Sequence, residues 1–350
     1  MLQTTKAPLW AAYDLALLDL DGVVYVGPHA VPGAAERLTA AAQAGMHLAY
    51  VTNNASRTPS NVADHLRALG VPVSTGDVVT SAQAAARLLA DKLPPGAPVF
   101  VIGGIGLYDA LAERGLRGVQ DVADHPEAVV SGYHPDLRWR TVVEGAVLVR
   151  DGLPWVAANA DLTMPTTLGE APGNGALVEV VTRYSGRCPQ VAGKPAPPLF
   201  EETVRRVGGD RPLVVGDRLD TDIEGAANAG LDSLLVMTGV TGLEELVGAP
   251  AVRRPTYLAA DLAGLGRSHS APDPEPAPGP EPGPGPENGG TGCTLDGWRA
   301  EVQDGRLRVQ GSGDADAWWR VVATAAWAHL DATGTPADVA GLPVPDAAGR

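Results

Sequence analysis

The sequence predicts an α/β protein built on a parallel β-sheet, followed by a small segment of different character. Short, nearly continuous apolar runs alternate with helical stretches through most of the chain, which is typical of parallel strands covered by helices on both faces. Residues 268–290, rich in Pro, Gly and Glu, then break this pattern. Such a composition buries too little apolar surface to fold and predicts an extended linker.

The elements of the main body follow from the spacing of apolar residues and from the glycines that end them. Predicted strands lie at 15–20, 47–51, 99–102, 128–131, 155–157, 213–215 and 234–237. Predicted helices lie at 33–44, 61–69, 81–93 and 222–229. Gly45 and Gly70 follow the first two helices, as expected for residues that accept a left-handed backbone. Ligands in such a fold bind beyond the carboxyl ends of the strands.

The segment after the linker is predicted to form a β-hairpin and a helix. Residues 298–302 and 306–309 flank Asp304-Gly305, a dipeptide typical of tight hairpin turns. Asp314 can cap a helix that runs to about Leu330, with tryptophans on one face. So short a segment is marginally stable by itself, so we expect it to dock on the main body or on a partner chain.

Charge and cysteine content exclude several classes of function. The formal net charge is −15, which argues against nucleic acid as a partner. Cys188 and Cys293 lie far apart and imply neither a disulfide framework nor a zinc site. Asp14 and the acids after it interrupt the first apolar run, which argues against a signal peptide, and no apolar stretch suits a membrane span. We therefore expect a cytoplasmic protein.

Polar and charged residues concentrate where predicted strands end. Asp19 and Asp21 follow the first strand, Thr52-Asn53-Asn54 follows the second, and Asp217 and Asp222 follow a later strand. Lys194 stands between glycine and proline ahead of that strand. Carboxylates held together repel one another and need a cation, and oxygen ligands suit Mg²⁺. The pattern indicates an oxygen-rich Mg²⁺ site that can bind phosphate.

The same residues can carry out phosphoryl transfer. Asp19 and Asp21 alternate along an extended segment, so their side chains point roughly the same way. One can attack phosphorus as a nucleophile, and the other can protonate the leaving alcohol and later activate water. Lys194 supplies a positive charge for the phosphoryl group, while Thr52 and the backbone N–H of Asn53 supply hydrogen bonds.

These motifs, in this order, resemble those of the haloacid dehalogenase superfamily. The resemblance spans roughly residues 12–262 and is strongest to its capped small-molecule phosphatases, such as the N-acetylglucosamine-phosphate-type, pyridoxal-phosphate and para-nitrophenyl-phosphate phosphatases. It implies a Rossmann-like catalytic core at 12–79 and 191–262, with a large α/β cap at 80–190 between the second and third motifs. The linker at 268–290 and a small C-terminal α+β module at 291–350 complete the predicted organisation.

The resemblance also implies roles for single residues. Asp19 would be the nucleophile and a metal ligand, and Asp21 the acid/base, with its backbone carbonyl on the metal. Asp217 would bind Mg²⁺ directly, and Asp222 would support it. The phosphate-binding residues would be Thr52, Asn53, Asn54 and Lys194, of which Lys194 would also orient the nucleophile.

The cap is expected to choose the substrate, a small phosphorylated metabolite. Asp161 and Met164 lie in a Gly- and Pro-rich stretch that resembles the part of the family's cap facing the active site. They are the predicted substrate-contacting residues. Related proteins often dimerise through the cap, so a homodimer is a further expectation.

Other functions remain open from the sequence alone. A phosphotransferase or phosphomutase would use the same aspartyl-phosphate, and a non-enzymatic phospho-acceptor switch would use the same Asp and Mg²⁺. Asp21 argues against a switch, because an adjacent base would hydrolyse the intermediate. The glycines at 103–106 could indicate a dinucleotide loop, but they lack the full spacing. We therefore interpret them as a tight turn between a strand and a helix.

Overall fold

The computed structural model describes residues 1–166, 169–274 and 291–345. Its strands are β1 (Leu15–Leu18), β2 (Tyr25–Val26), β3 (His29–Ala30), β4 (His47–Thr52), β5 (Val78–Thr80), β6 (Pro98–Ile102), β7 (Arg117–Val119), β8 (Ala128–Ser131), β9 (Trp155–Ala157), β10 (Thr163–Thr166), β11 (Gly169–Pro172), β12 (Gln190–Val191), β13 (Pro212–Gly216), β14 (Asp232–Val236), β15 (Tyr257–Ala259), β16 (Asp273–Pro274), β17 (Thr291–Leu295), β18 (Trp298–Gln303) and β19 (Arg306–Gly311). Its helices are α1 (Leu9–Ala12), α2 (Ala34–Gln43), α3 (Pro59–Ala68), α4 (Ser81–Ala90), α5 (Ile105–Glu113), α6 (Trp139–Arg150), α7 (Asn174–Ser185), α8 (Pro198–Val207), α9 (Glu224–Ala229), α10 (Leu243–Val247) and α11 (Ala315–Thr333).

The chain divides into two compact units. The first contains residues 1–47 and the described residues from 210 onward, and the second contains residues 48–209. In the first unit, β1, β13, β14 and β15 are neighbouring parallel strands. Strand β1 is buried along its whole length, which explains why its sequence is apolar without alternation.

The second unit also contains parallel strands. β4 pairs with β5, and a separate sheet has the strand order β12-β9-β8-β6-β7. Helices α6 and α7 pack on this second sheet around Phe100, Ile102 and Trp155. The parallel strands and their flanking helices confirm the predicted α/β class.

The C-terminal segment forms the predicted hairpin, as strands β18 and β19, and the predicted helix, as α11. Strands β16 and β17 were not predicted and extend the hairpin into a four-stranded antiparallel sheet. Asp304 and Gly305 both adopt positive φ angles, 52° and 75°, in the turn between β18 and β19. The Asp314 side chain caps α11 by accepting a hydrogen bond from the Asp316 backbone N–H at 2.7 Å. The predicted hairpin signal and helix cap are therefore both present.

This segment packs on the main body within the first unit. Helix α11 buries Trp318, Trp319 and Trp327 in one apolar cluster with Leu246 and Leu258. The Trp327 indole N–H donates to the Leu246 carbonyl at 2.7 Å. The tryptophans thus belong to the hydrophobic core. The sequence left open whether this segment docks on the main body or on a partner chain, and in the structure it docks on the main body.

The beginning of the predicted linker is also packed. His269 is buried, and residues 273–274 pair with β17 as strand β16. Residues 275–290 of that linker lie outside the described residues. Cys188 and Cys293, which both lie within the described residues, form no disulfide. None of the helices that the structure describes is long and apolar enough to cross a membrane.

Candidate active site

Asp19 and Asp21 lie just beyond the carboxyl end of β1. The Asp19 backbone N–H donates to the Val215 carbonyl at 2.9 Å, so the parallel pairing with β13 continues up to this residue. The chain then turns at Gly22, whose φ of 84° is in the left-handed region that favours glycine. The Asp19 side chain is half-buried and the Asp21 side chain is exposed.

Asp217 and Asp222 lie beyond the end of the neighbouring strand β13, and both are fully buried. Residues 219–223 form a short π-helical turn ahead of α9. The Asp222 carboxylate accepts the Arg218 backbone N–H at 3.1 Å. A Cβ on Gly216 would lie 2.2 Å from the Asp222 Cβ, so glycine is needed for this approach.

Three of these carboxylates form one cluster. Asp19, Asp217 and Asp222 each offer one oxygen, and the three oxygens lie within 4.8 Å of one another. The strand pairing explains the convergence, because Leu18 lies opposite Val215 and both strands end at the same edge. Clustered carboxylate oxygens are the donor set that suits Mg²⁺. The Asp21 side chain is not part of this group, and the metal contact through its backbone carbonyl stays a prediction of the resemblance.

The backbone of two glycines lies close to the Asp217 carboxylate. A Cβ on Gly22 would lie 2.3 Å from Asp217 Oδ2, and a Cβ on Gly239 would lie 1.9 Å from it. The Val240 backbone N–H donates to the same oxygen at 2.6 Å. Sequence reasoning missed the loop after β14 that contains Gly239 and Val240. A glycine two residues after the end of a predicted strand was the available signal.

The phosphate-binding residues predicted from the sequence lie in the second unit. Thr52 is buried at the end of β4, and its hydroxyl accepts the Asn54 backbone N–H at 3.1 Å. The exposed Asn54 accepts from the Ser56 backbone N–H and hydroxyl at 2.9 and 2.7 Å, so its side chain closes the turn. Asn54 thereby shapes the loop that presents the backbone after Thr52.

Lys194 is 4% exposed, and its backbone is bound by the side chain of Asn53. The Asn53 amide accepts the Lys194 N–H at 2.8 Å and donates to the Lys194 carbonyl at 3.0 Å. A Cβ on Gly193 would lie 2.5 Å from Asn53 Oδ1, which requires glycine at that position. The second and third sequence motifs therefore meet in this unit.

The two predicted substrate-contacting residues differ in their surroundings. Asp161 accepts hydrogen bonds from the Asn53 amide at 3.1 Å to both carboxylate oxygens. Met164 lies on β10, opposite Ala171 of β11. Asp161 therefore contacts the motif that was predicted to bind phosphate, whereas Met164 belongs to the hairpin.

The glycine run at 103–106 joins β6 to α5. A Cβ on Gly106 would lie 2.4 Å from the Ala55 carbonyl oxygen, so this glycine permits close packing. The run forms the tight strand-to-helix turn expected from its spacing.

Comparisons with known proteins agree with this geometry. A family model described as haloacid dehalogenase-like hydrolase matches residues 16–117, and one described as HAD-hydrolase-like matches residues 191–265. The D-glycerol 3-phosphate phosphatase of Mycobacterium tuberculosis is 44% identical over 306 residues, which cover 87% of this chain and 80% of that protein. An acid sugar phosphatase of Staphylococcus aureus is 36% identical over 252 residues, covering 71% of this chain and 95% of the relative.

A solved structure extends the similarity. The crystal structure of the glycerol phosphate phosphatase from Mycobacterium tuberculosis in complex with magnesium superimposes with a TM-score of 0.79. The two proteins are 41% identical, and the match covers 92% of each chain.

The chain belongs to the haloacid dehalogenase-like hydrolases. Within that superfamily its relatives are the capped small-molecule phosphatases, so the subgroup predicted from the sequence motifs is confirmed. The protein is a hydrolase that acts on phosphoric monoesters.

Proposed function

We propose that this protein is a Mg²⁺-dependent phosphatase that hydrolyses a small phosphomonoester through an aspartyl-phosphate on Asp19. The observation that carries the proposal is the convergence of the Asp19, Asp217 and Asp222 carboxylates at adjoining strand ends. These residues would hold the metal ion, together with the backbone carbonyl of Asp21. When bound, Mg²⁺ would neutralise the clustered carboxylates and supply positive charge for phosphoryl oxygens.

The chain's own residues then account for the two chemical steps. A carboxylate oxygen of Asp19 attacks phosphorus, and the bond between phosphorus and the alcohol oxygen breaks. Asp21, protonated at this stage, gives its proton to the leaving alcohol. It then takes a proton from the water that attacks the phosphorus of the aspartyl-phosphate, which releases phosphate and restores Asp19.

Phosphate binding is proposed for the second and third motifs. Thr52 offers a hydroxyl, and Asn53 offers its backbone N–H at the start of the turn that the Asn54 side chain closes. Lys194 would neutralise charge on the phosphoryl group. We propose residues 12–79 and 191–262 as the catalytic core, and residues 80–190 as the cap that selects the alcohol.

Glycerol phosphate is the proposed substrate, because the relative at 44% identity is a D-glycerol 3-phosphate phosphatase and the similarity covers most of both chains. Sugar phosphates are the second candidate class, supported by the acid sugar phosphatase at 36% identity. The cytoplasmic location and the homodimer remain predictions of the sequence.

A panel of phosphate esters assayed with Mg²⁺ tests this proposal. The panel should include both glycerol phosphate enantiomers, sugar phosphates, nucleotides and pyridoxal phosphate. We expect glycerol phosphate to give the highest kcat/KM, Asp19→Asn to be inactive, and Asp304→Asn in the exposed hairpin turn to match the wild type. An active Asp19→Asn variant would contradict the nucleophile.

The same assay separates hydrolysis from phosphoryl transfer. With an added acceptor alcohol, a phosphotransferase or mutase forms a new phosphate ester in place of free phosphate. We expect free phosphate to equal the alcohol released, with or without the acceptor. A new ester that accounts for most of the turnover would favour the transferase.

A further inference from the structure

We propose that Asn53 and Asp161 form a positioning pair that fixes Lys194 for phosphate binding. The inference rests on the proposed function, since it assumes that Lys194 binds the phosphoryl group. Its starting point is that the Asn53 amide contacts both the N–H and the carbonyl of residue 194, at 2.8 and 3.0 Å. One side chain thus makes the pair of hydrogen bonds that a neighbouring strand would make, and it holds the Lys194 backbone in a single position.

Asp161 strengthens the orientation of the Asn53 amide. The Asn53 Nδ2 donates one hydrogen to the Asp161 carboxylate, at 3.1 Å from each oxygen, and the other to the Lys194 carbonyl. If the amide turned over, its oxygen would face the carboxylate and its NH₂ group would face the Lys194 N–H. Both new contacts would be repulsive. The Lys194 N–H and carbonyl favour the same orientation of the amide, and the charge of Asp161 strengthens that preference.

Asp161 is itself held in place by its backbone. Its N–H donates to the Asn159 side chain at 3.2 Å, and its carbonyl accepts the Gly175 N–H at 2.8 Å. A Cβ on Gly173 would lie 2.4 Å from that carbonyl oxygen, so the segments pack without space for a side chain.

The backbone of Asn53 is fixed in the same way. Its carbonyl oxygen accepts hydrogen bonds from the Ser81 hydroxyl at 2.7 Å and from the Asn159 amide at 2.6 Å. Asn159 therefore binds both members of the positioning pair, since it also accepts the Asp161 N–H. A rigid support of this kind lets the carboxylate of Asp161 act on Lys194 through one intervening amide.

The proposal makes a distinction that kinetics can measure. A residue that contacts the alcohol changes the preference among esters, whereas a residue that positions Lys194 affects the phosphoryl group, which all esters share. The substrate contact expected for Asp161 from the sequence resemblance predicts the first behaviour. The positioning pair predicts the second.

The experiment compares Asp161→Ala, Asp161→Asn, Asn53→Ala and the double variant Asn53→Ala/Asp161→Ala, with Lys194→Gln as reference and Glu170→Gln as control. Glu170 is an exposed carboxylate on β11. For each variant, kcat/KM is measured for glycerol, sugar and nitrophenyl phosphates, together with inhibition by inorganic phosphate. Circular dichroism and thermal unfolding establish that the variants are folded.

We expect Asp161→Ala to lower kcat/KM by about 10- to 100-fold, because that factor corresponds to the free energy of one charge-assisted hydrogen bond. The loss should be equal across the esters, and inhibition by phosphate should weaken to a similar extent. Asp161→Asn, which can still accept from Asn53, should recover part of the activity. The double variant should be no worse than Asn53→Ala, because both changes remove the same support. Glu170→Gln should match the wild type.

Two results would overturn the inference while leaving the proposed function standing. One is a change in the order of preferred esters in Asp161→Asn with unchanged phosphate inhibition. The other is a double variant whose loss is the product of the two single losses. If Lys194→Gln kept wild-type kinetics and phosphate inhibition, the proposed role of Lys194 would fail and this inference with it.

Discussion

Replacing Gly239 by alanine should disable the metal site without removing any of its ligands. A Cβ at this position would lie 1.9 Å from Asp217 Oδ2, whereas ordinary van der Waals contacts begin at 3.4 Å. The atoms must therefore separate by the difference, about 1.5 Å. A shift away from the new methyl would also pull this oxygen from the Val240 backbone N–H, which donates to it at 2.6 Å.

A displacement of this size is large compared with what Mg²⁺ tolerates. Its ligand distances are fixed near 2.0–2.1 Å, and a misplacement of about 1 Å near a reacting centre can cost about 100-fold in rate. We expect Gly239→Ala to lower kcat/KM by about 100-fold at fixed Mg²⁺, and to need a higher Mg²⁺ concentration for half-maximal activity.

The assay is a Mg²⁺ titration of glycerol phosphate hydrolysis, with Gly242→Ala as the matched control. The nearest atom to a Cβ on Gly242 is Glu245 Oε2 at 3.4 Å, an ordinary contact at the end of a flexible side chain. The control should keep the wild-type Mg²⁺ dependence. If Gly239→Ala folded and also kept it, the claim that Asp217 binds the metal in this position would be refuted.

Three further predictions concern acid catalysis, stabilisation by the metal ion and the buried side chain of His269. Asp21→Asn should slow alkyl phosphates much more than nitrophenyl phosphate, whose leaving group needs no proton; equal losses would argue against the acid role. Mg²⁺ should raise the thermal unfolding temperature of the wild type and have little effect on Asp217→Asn, and a chelator should reverse the wild-type shift. Burial, and secondly the charge of Arg320, lower the pKa of His269 from 6.5 to about 4. Because the unfolded chain gains its proton near pH 6.5 and the folded one only near pH 4, stability should fall by about 3 kcal/mol as pH falls through this window. In His269→Gln the free energy of unfolding, measured by urea titration at several pH values, should change less across this window. If it changed with pH as much as in the wild type, the effect would belong to other groups.

The fold was largely predictable because most elements are encoded locally. Each buried strand reads as an apolar run, and Gly45 and Gly70 follow helices with φ angles of 97° and 80°, as their positions indicated. The hairpin of β10 and β11 was predicted only as a shaped loop, because Pro165 and Pro172 argue against strands. In a two-stranded ribbon both strands are edges, and edges tolerate proline.

The candidate site was predictable to the extent that strand topology determines it. Asp19 and Asp217 could be placed together because parallel strands end at a common edge. The positioning pair could not be predicted, because Asn53 binds partners 108 and 141 residues away through its side chain. The motif containing Asn53 indicated phosphate contacts through its backbone. Only the folded chain brings its amide to Asp161 and Lys194.

The helical segment that contains α9 begins earlier than the sequence indicated. Residues 222–229 were predicted to be helical, and in the structure a π-helical turn at Leu219–Ile223 leads into α9, which begins at Glu224. In that turn the Asp222 carboxylate accepts the Arg218 N–H and lies in the cluster with Asp19 and Asp217. Single π-helical turns of this kind are frequent at functional sites.

Chemical trapping of the intermediate tests the central claim most directly. Enzyme mixed with Mg²⁺ and glycerol phosphate is quenched in acid during turnover, reduced with borohydride, and mapped by peptide mass spectrometry. Reduction converts an acyl phosphate to an alcohol, so we expect residue 19 alone to carry this change, and only when both Mg²⁺ and substrate were present. An unmodified Asp19 beside a reduced carboxylate elsewhere in the chain would contradict the assignment of the nucleophile.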